Sequence, residues 1–141
     1  MTIKEIQEEI IDEFSMFDDW MERYEYIIEL GKSLPIIDET YKLEENLIKG
    51  CQSKVWLYSE LENDKVEFTA DSDAILTKGI VALLLRVFSE QKPVDILAAE
   101  TNFIDEIGLK EHLSPTRANG LISMIKQIKM YAIAQQTKLE N

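Results

Sequence analysis

No second cysteine accompanies Cys51, and no second histidine accompanies His112. That rules out an internal disulfide, a four-ligand Cys/His zinc site and an iron–sulfur cluster held by this chain alone. Any chemistry at Cys51 is therefore that of a free thiol. Proline and glycine are scarce, three and five in 141 residues, and no low-complexity linker or internal repeat interrupts the sequence. Residues 1–141 thus read as a single globular domain with a core of its own. The longest apolar run, Ile80 to Leu85, is too short to cross a bilayer, and no charged-then-apolar leader opens the chain. The expected compartment is the cytoplasm. Basic residues are in deficit, 15 against 27 acidic, for a formal net charge of -12. Nucleic-acid phosphates and anionic membrane surfaces repel such a chain, so neither is an expected partner, and proteins are.

What is present is apolar periodicity. Thr2 and Glu5 form a capping-box pattern, and Ile3, Ile6, Ile10 and Phe14 recur at helical spacing, which predicts a helix from about Ile3 to Met16. Asp18 or Asp19 caps a second helix with the stripe Trp20, Tyr24, Ile27 and Ile28; Gly31 suits the left-handed position just past its end, before Leu34-Pro35. Val55, Leu57 and Leu61 lie on one side of a period-two pattern, Glu62-Asn63-Asp64 supplies a turn, and Val66, Phe68 and Ala70 return as the partner strand. Asn46-Leu47-Ile48 is expected to add a third strand, placing Cys51 in the connection to the hairpin. Behind Asp71, Ser72 and Asp73, the segment Ala74 to Ser89 is apolar nearly all round and reads as a buried helix. Two short helical pieces follow, from Pro93 through Ala99 and from Asn102 to Ile107, the second ending at Gly108. Ser114-Pro115 is the cap and first-turn proline of a long last helix carrying Leu121, Met124, Ile125, Ile128 and Ala132. Strands confined to one stretch with helices on either side predict an α+β domain, a small three-stranded antiparallel sheet packed by helices.

The thiol sits in "KGCQSKVWL", Lys49 to Leu57. A lone cysteine is either a small buried hydrophobe or a reactive group. Gly50 opens backbone angles closed to other residues, Gln52 and Ser53 are polar, and Lys49 and Lys54 put two cations beside a thiol in an acidic chain. A hydrolase pairing Cys51 with His112 has no nucleophile-elbow or protease signature to support it, and His112 reads as part of a surface turn. A thiol with no obvious base suits sulfur relay, in which a thiolate attacks the terminal sulfur of a persulfide. Arg117 falls at the third position of the last helix, where the helix dipole disfavours a cation; an ion pair to a nearby carboxylate and a role toward a partner both remain open.

Four motifs carry a resemblance. "GCQSKVW" at Gly50 to Trp56, "DSDA" at Asp71 to Ala74 with "KG" at Lys78-Gly79, "HLSPTRANGL" at His112 to Leu121, and "YEYIIELGKSLP" at Tyr24 to Pro35 resemble the SufE family of sulfur-acceptor proteins. The similarity runs from about Phe14 to Ala134, in order and at the right spacing; Thr116 stands where the family usually has serine, and Lys49 in a variable position. The resemblance implies the fold shared with IscU-type scaffold proteins, an α+β domain with a three-stranded sheet. It implies that Cys51 takes sulfane sulfur from a SufS-like cysteine desulfurase, which it stimulates, and passes it to a SufBCD-like scaffold complex for iron–sulfur cluster assembly. Gly50, Gln52, Ser53, Asp73 and Arg117 are the residues it marks as meeting the partner. No metal or cofactor is implied on this chain, because the pyridoxal phosphate belongs to the desulfurase. A paralogous acceptor feeding another sulfur pathway shares the motif set. That alternative, a non-catalytic activator of the desulfurase, and a homodimer all stay open.

Overall fold

Thr2 opens the first helix through a full capping box in the computed structural model, which describes residues 1–140: Glu5 N–H donates to Thr2 Oγ1 at 3.1 Å, and Thr2 N–H to Glu5 Oε1 at 2.9 Å. The helix, α1, runs Ile3–Ser15, and α2 follows at Trp20–Gly31 behind Asp19, whose carboxylate accepts from Glu22 N–H. Strands β1, Val55–Glu62, and β2, Lys65–Ser72, form an antiparallel hairpin in register from Val55↔Ser72 to Glu62↔Lys65. Its two-residue turn holds Asn63 and Asp64 at φ 52° and 64°, the left-handed pair that matches strand twist and that Asn and Asp tolerate. Helix α3 spans Ile75–Phe88, the short α4 and α5 span Pro93–Ala98 and Phe103–Glu106, and α6 runs Pro115–Glu140. Ser114 Oγ accepts from Arg117 N–H at 3.3 Å, so the predicted cap of α6 is made.

The α+β arrangement is as expected, but the sheet has two strands rather than three. Leu47 makes a single antiparallel bridge to Trp56, with Ile48 N–H donating to Val55 O at 2.8 Å. A tight turn at Glu44–Asn46 on one side and Gly50 at φ +88° on the other leave the segment too short to continue as a strand. The opposite edge is covered in the same piecemeal way, by Ile36 against Ala70 and Gln91 against Val66.

Helix α3 is the centre of the core. Ile80, Leu83, Leu84, Leu85, Val87 and Phe88 are all buried, against Phe14 of α1, Ile27 of α2 and Val55, Leu57, Val66 and Phe68 of the hairpin. Gly31 does not take the left-handed position past the end of α2. It is the last residue of the helix, buried, and a Cβ there would lie 3.1 Å from Gly79 N. The converse contact is closer, for a Cβ on Gly79 would lie 2.1 Å from Ile27 O. The two glycines therefore serve a helix crossing in which backbones nearly touch. Helix α6 is tied to β1 by Tyr131, whose hydroxyl donates to Leu57 O at 2.9 Å, and by Gln135, whose amide donates to Ser59 Oγ at 3.1 Å. Among the described residues no helix is long and apolar enough to cross a membrane.

One charged cluster joins three helices at the edge of this core. Arg86 of α3 donates to Glu13 Oε1 at 2.8 Å and to Glu9 Oε1 at 2.6 Å, and Tyr26 of α2 also donates to Glu13. The bond from Arg86 holds the Glu13 carboxyl below the usual carboxylate range, against the opposing effect of partial burial. A lowered folded-state pKa gives stability that is present above the unfolded value and is lost as pH falls through the folded one. Glu13→Gln is expected to cost on the order of 1 kcal/mol at neutral pH, the difference from wild type shrinking as denaturant melts are repeated below the ordinary carboxylate pKa. Gly79→Ala, which drives a methyl into backbone, is expected to lower the unfolding free energy by about 2–3 kcal/mol in a urea titration. Gly31→Ala, with its looser contact, should cost less.

Candidate functional site

The loop from Lys49 to Lys54 is held at both ends by backbone. Ile48 is tied to Val55, and on the far side Asp73, between β2 and α3, accepts Lys54 N–H on its carboxylate at 3.0 Å while its own N–H reaches Lys54 O at 3.3 Å. Gly50 turns the chain at φ +88°, where a side chain is strained, and any Cβ would meet Ser123 Oγ of α6 at 2.8 Å. The turn lays Cys51 flat on α6. Its S–H donates to the carbonyl of Gly120 at 3.6 Å, and the hydrogen side chain of Gly120 admits the cysteine, whose Sγ and Cα would lie 3.5 and 3.6 Å from a Cβ there.

Beside the sulfur is a cavity of about 10 Å3, roughly the space of one heavy atom, walled by the loop, by Thr77 and Ile80 of α3, and by Arg117, Gly120 and Met124 of α6. Cys51 is half-buried. Burial pushes the thiol up from its ordinary range by desolvation, and Lys49 and Lys54, both exposed, do not offset it. The apolar cover comes from Ile80 and Met124, while Val55 and Leu57, which follow the loop, are spent in the core.

Of the residues singled out in the sequence, Cys51, Gln52, Ser53 and Arg117 are brought together around this cavity, and Gly50 precedes it in the loop, against Ser123 of α6. Asp73 is close by but acts on the loop backbone and does not line the cavity. Arg117 is exposed and, among the described residues, makes no ion pair. His112 lies elsewhere. It stacks on Trp20 with ring centroids 3.8 Å apart, its Nδ1 is 3.0 Å from Gly108 O, and it has no place in the wall around Cys51. A Cys51–His112 nucleophile pair is therefore not assembled. The described residues contain no cluster of His, Cys, Asp and Glu able to hold a metal ion. Sequence reasoning missed Gly120 and Thr77; the available signals were a glycine in the interior of a long helix and a lone hydroxyl on a largely apolar one.

A wider groove of about 1010 Å3 lies between α1 and the α4–α5 segment, but it contains neither cysteine nor histidine and is remote in sequence from the thiol loop.

Comparison with known proteins gives the family and the fold. The SufE family model, described as an Fe-S metabolism associated domain, matches residues 8–132. An uncharacterized SufE-like protein of Rhizobium meliloti is 42% identical over 130 residues, covering 89% of this chain and 93% of its own. An uncharacterized SufE-like protein of Synechocystis is 38% identical over 127 residues, covering 90% and 80%. The solution structure of a hypothetical protein from Thermus thermophilus has the same fold, with a TM-score of 0.78 over 94% of this chain and 96% of that one, at 19% identity. With the family model matching residues 8–132 and relatives 38–42% identical over most of their length, the chain belongs to the SufE family, whose domain is associated with iron–sulfur metabolism.

Proposed function

We propose that Cys51 is a sulfur carrier, taking sulfane sulfur from the persulfide of a SufS-like cysteine desulfurase and handing it to a SufBCD-like scaffold complex for cluster assembly. The observation that carries this reading is the thiol's setting: a free cysteine on a built seat, next to a small, partly open space for one more atom, with no base in the wall. The Cys51 thiolate attacks the terminal sulfur of the donor persulfide. A new S–S bond forms at Sγ, the donor S–S bond breaks, and its electron pair leaves on the donor sulfur as a thiolate, so no outside oxidant is consumed. Repeating the exchange with an acceptor thiolate releases the sulfur and regenerates Cys51.

Chemistry of this kind needs a thiolate, whereas the seat favours the thiol. Burial raises the pKa, and the S–H is occupied by Gly120 O. Such a resting state protects the group from other cellular thiols and oxidants, at the cost of requiring the partner to draw the loop off α6. The same low intrinsic reactivity is the observation favouring the second reading, an activator of the desulfurase that carries no sulfur itself. A paralogous acceptor serving another pathway would use the same seat, and the identity of the downstream acceptor separates the two.

Intact mass spectrometry distinguishes carrier from activator. After incubation with a desulfurase and cysteine, the wild-type chain is expected to gain the mass of one sulfur atom at Cys51, reversed by a thiol reductant. Cys51→Ser should fold normally, since the substitution deletes little core, and gain nothing. An unchanged wild-type mass after productive turnover, with stimulation retained by Cys51→Ser, would refute the carrier reading in favour of the activator.

Arg117 supports a partner face at the same place. At the third position of α6 a guanidinium is opposed by the helix dipole and, with no carboxylate paired to it, contributes nothing evident to the fold. A forked, permanently charged donor beside the thiol is suited to a partner carboxylate. Arg117→Ala is expected to leave the melting temperature unchanged or raised by a degree or two, about 0.3–1 kcal/mol at most, while slowing sulfur transfer to Cys51 and weakening desulfurase binding by titration. Early melting with normal transfer would make Arg117 structural.

A further inference from the structure

Thr77 is the one polar residue among the buried positions of α3. The other buried residues of α3 are hydrocarbon side chains and Gly79, whereas Thr77 carries a hydroxyl and is only 5% exposed. A helical threonine normally turns its hydroxyl back onto the carbonyl one turn earlier, as Thr137 does onto Ile133 O at 3.0 Å in α6. Thr77 makes no such bond, and no other side chain among the described residues serves its hydroxyl. Nor is the oxygen sealed off in the way Gln135 Oε1 is, which is fully enclosed without a partner. Thr77 is one of the residues that line the cavity beside Cys51.

Hydrogen-bond chemistry on the two sides of that cavity is complementary to two different states of the cysteine. In the thiol state Sγ carries a hydrogen, and the matching group is an acceptor, Gly120 O. In the persulfide state Sγ has no hydrogen, and a second sulfur stands about 2.05 Å beyond it. When that terminal sulfur is ionised it is an acceptor, and what it needs is a donor. Three neutral side-chain donors stand in the wall with no bond among the described residues, Gln52, Ser53 and Thr77, and of these Thr77 alone is buried, on the α3 side; Gln52 and the charged Arg117 are exposed and Ser53 is half-buried in the loop itself.

We infer that the Thr77 hydroxyl is the internal donor for the sulfane sulfur, holding the terminal sulfur of a Cys51 persulfide in the small space between α3 and α6. The inference rests on the carrier reading of Cys51 and adds to it a positioning residue that is idle in the thiol form. Bonded to Thr77, the anionic persulfide is stabilised over its protonated form, which is the better target for a passing thiol, and the sulfur is kept away from the loop's open side.

The test loads sulfur without any desulfurase. Sodium tetrasulfide supplies it: the Cys51 thiolate attacks the polysulfide chain, gains one sulfur as Cys51–S–S−, and trisulfide leaves with the electron pair of the broken bond. Wild type, Thr77→Val and Thr77→Ser are loaded, freed of excess reagent, and followed by intact mass while dithiothreitol strips the sulfur as sulfide and is itself oxidised. Thr77→Val, isosteric but lacking the donor, is expected to lose its sulfur about tenfold faster than wild type, the scale of one hydrogen bond to a charged group. Thr77→Ser should restore a near-wild-type lifetime, and alkylation of the unloaded thiol should proceed at one rate in all three, because Gly120 and not Thr77 bonds the thiol. Equal lifetimes in wild type and Thr77→Val overturn the assignment of Thr77 while leaving the carrier intact. A wild-type Cys51 that gains no sulfur from tetrasulfide or from a desulfurase overturns both.

Discussion

Helix α3 can lie where it does because Gly79 has no side chain: a Cβ at that position would stand 2.1 Å from the Ile27 carbonyl oxygen of α2, inside any permissible contact. The rest of the structure is arranged around that approach. With α3 set this deep, its apolar surface is covered by α1 and α2 on one side and the hairpin on the other, and Arg86 arrives at the rim within reach of Glu13 and Glu9. The crossing also bears on the site, for Thr77 and Ile80 are near neighbours of Gly79 on the same helix, and both wall the space beside Cys51.

The thiol seat is built almost entirely from backbone groups and small residues. Gly50 turns the chain, Gly120 accepts the cysteine and bonds its S–H, and the Asp73 carboxylate fixes the loop by a main-chain N–H instead of a side chain. A seat of this kind grips the loop through a few directional bonds and little buried area. It is therefore a place where a two-position equilibrium, seated and lifted, costs far less than unfolding. Charge is distributed to match. The acidic surface of the chain keeps most contacts repulsive, while Lys49, Lys54 and Arg117 around the thiol are not drawn into ion pairs within the described residues, and Lys42, Lys78 and Arg86 elsewhere are.

Local structure was legible in the residues because its causes are local. The Thr2–Glu5 box, the Asp19 and Ser114 caps, the alternation in both strands and the Asn63-Asp64 turn each depend on groups a few residues apart, and each stands as read. Two readings changed, one through a distant partner and one through the turns that flank the segment. Gly31 has the sequence signature of a left-handed cap, but Gly79, brought up by the fold, requires a small residue there for packing; Asn46 to Ile48 has strand-like residues, but the turns on either side leave room for one bridge.

The site divides along the same line. Sequence by itself determined that there is one thiol, that it is free, that it follows a glycine in an otherwise acidic chain, and that its motif is of the SufE type, for these are matters of composition and short spacing. Only the tertiary structure decided what surrounds that thiol. The hydrogen bond from Cys51 to Gly120 spans 69 residues, and Thr77 reaches the same cavity from a different helix. Whether a sulfur is exposed or half-buried, protonated or ionised, and hemmed in or given room for one more atom is a property of packing between segments, and no periodicity along the chain encodes it.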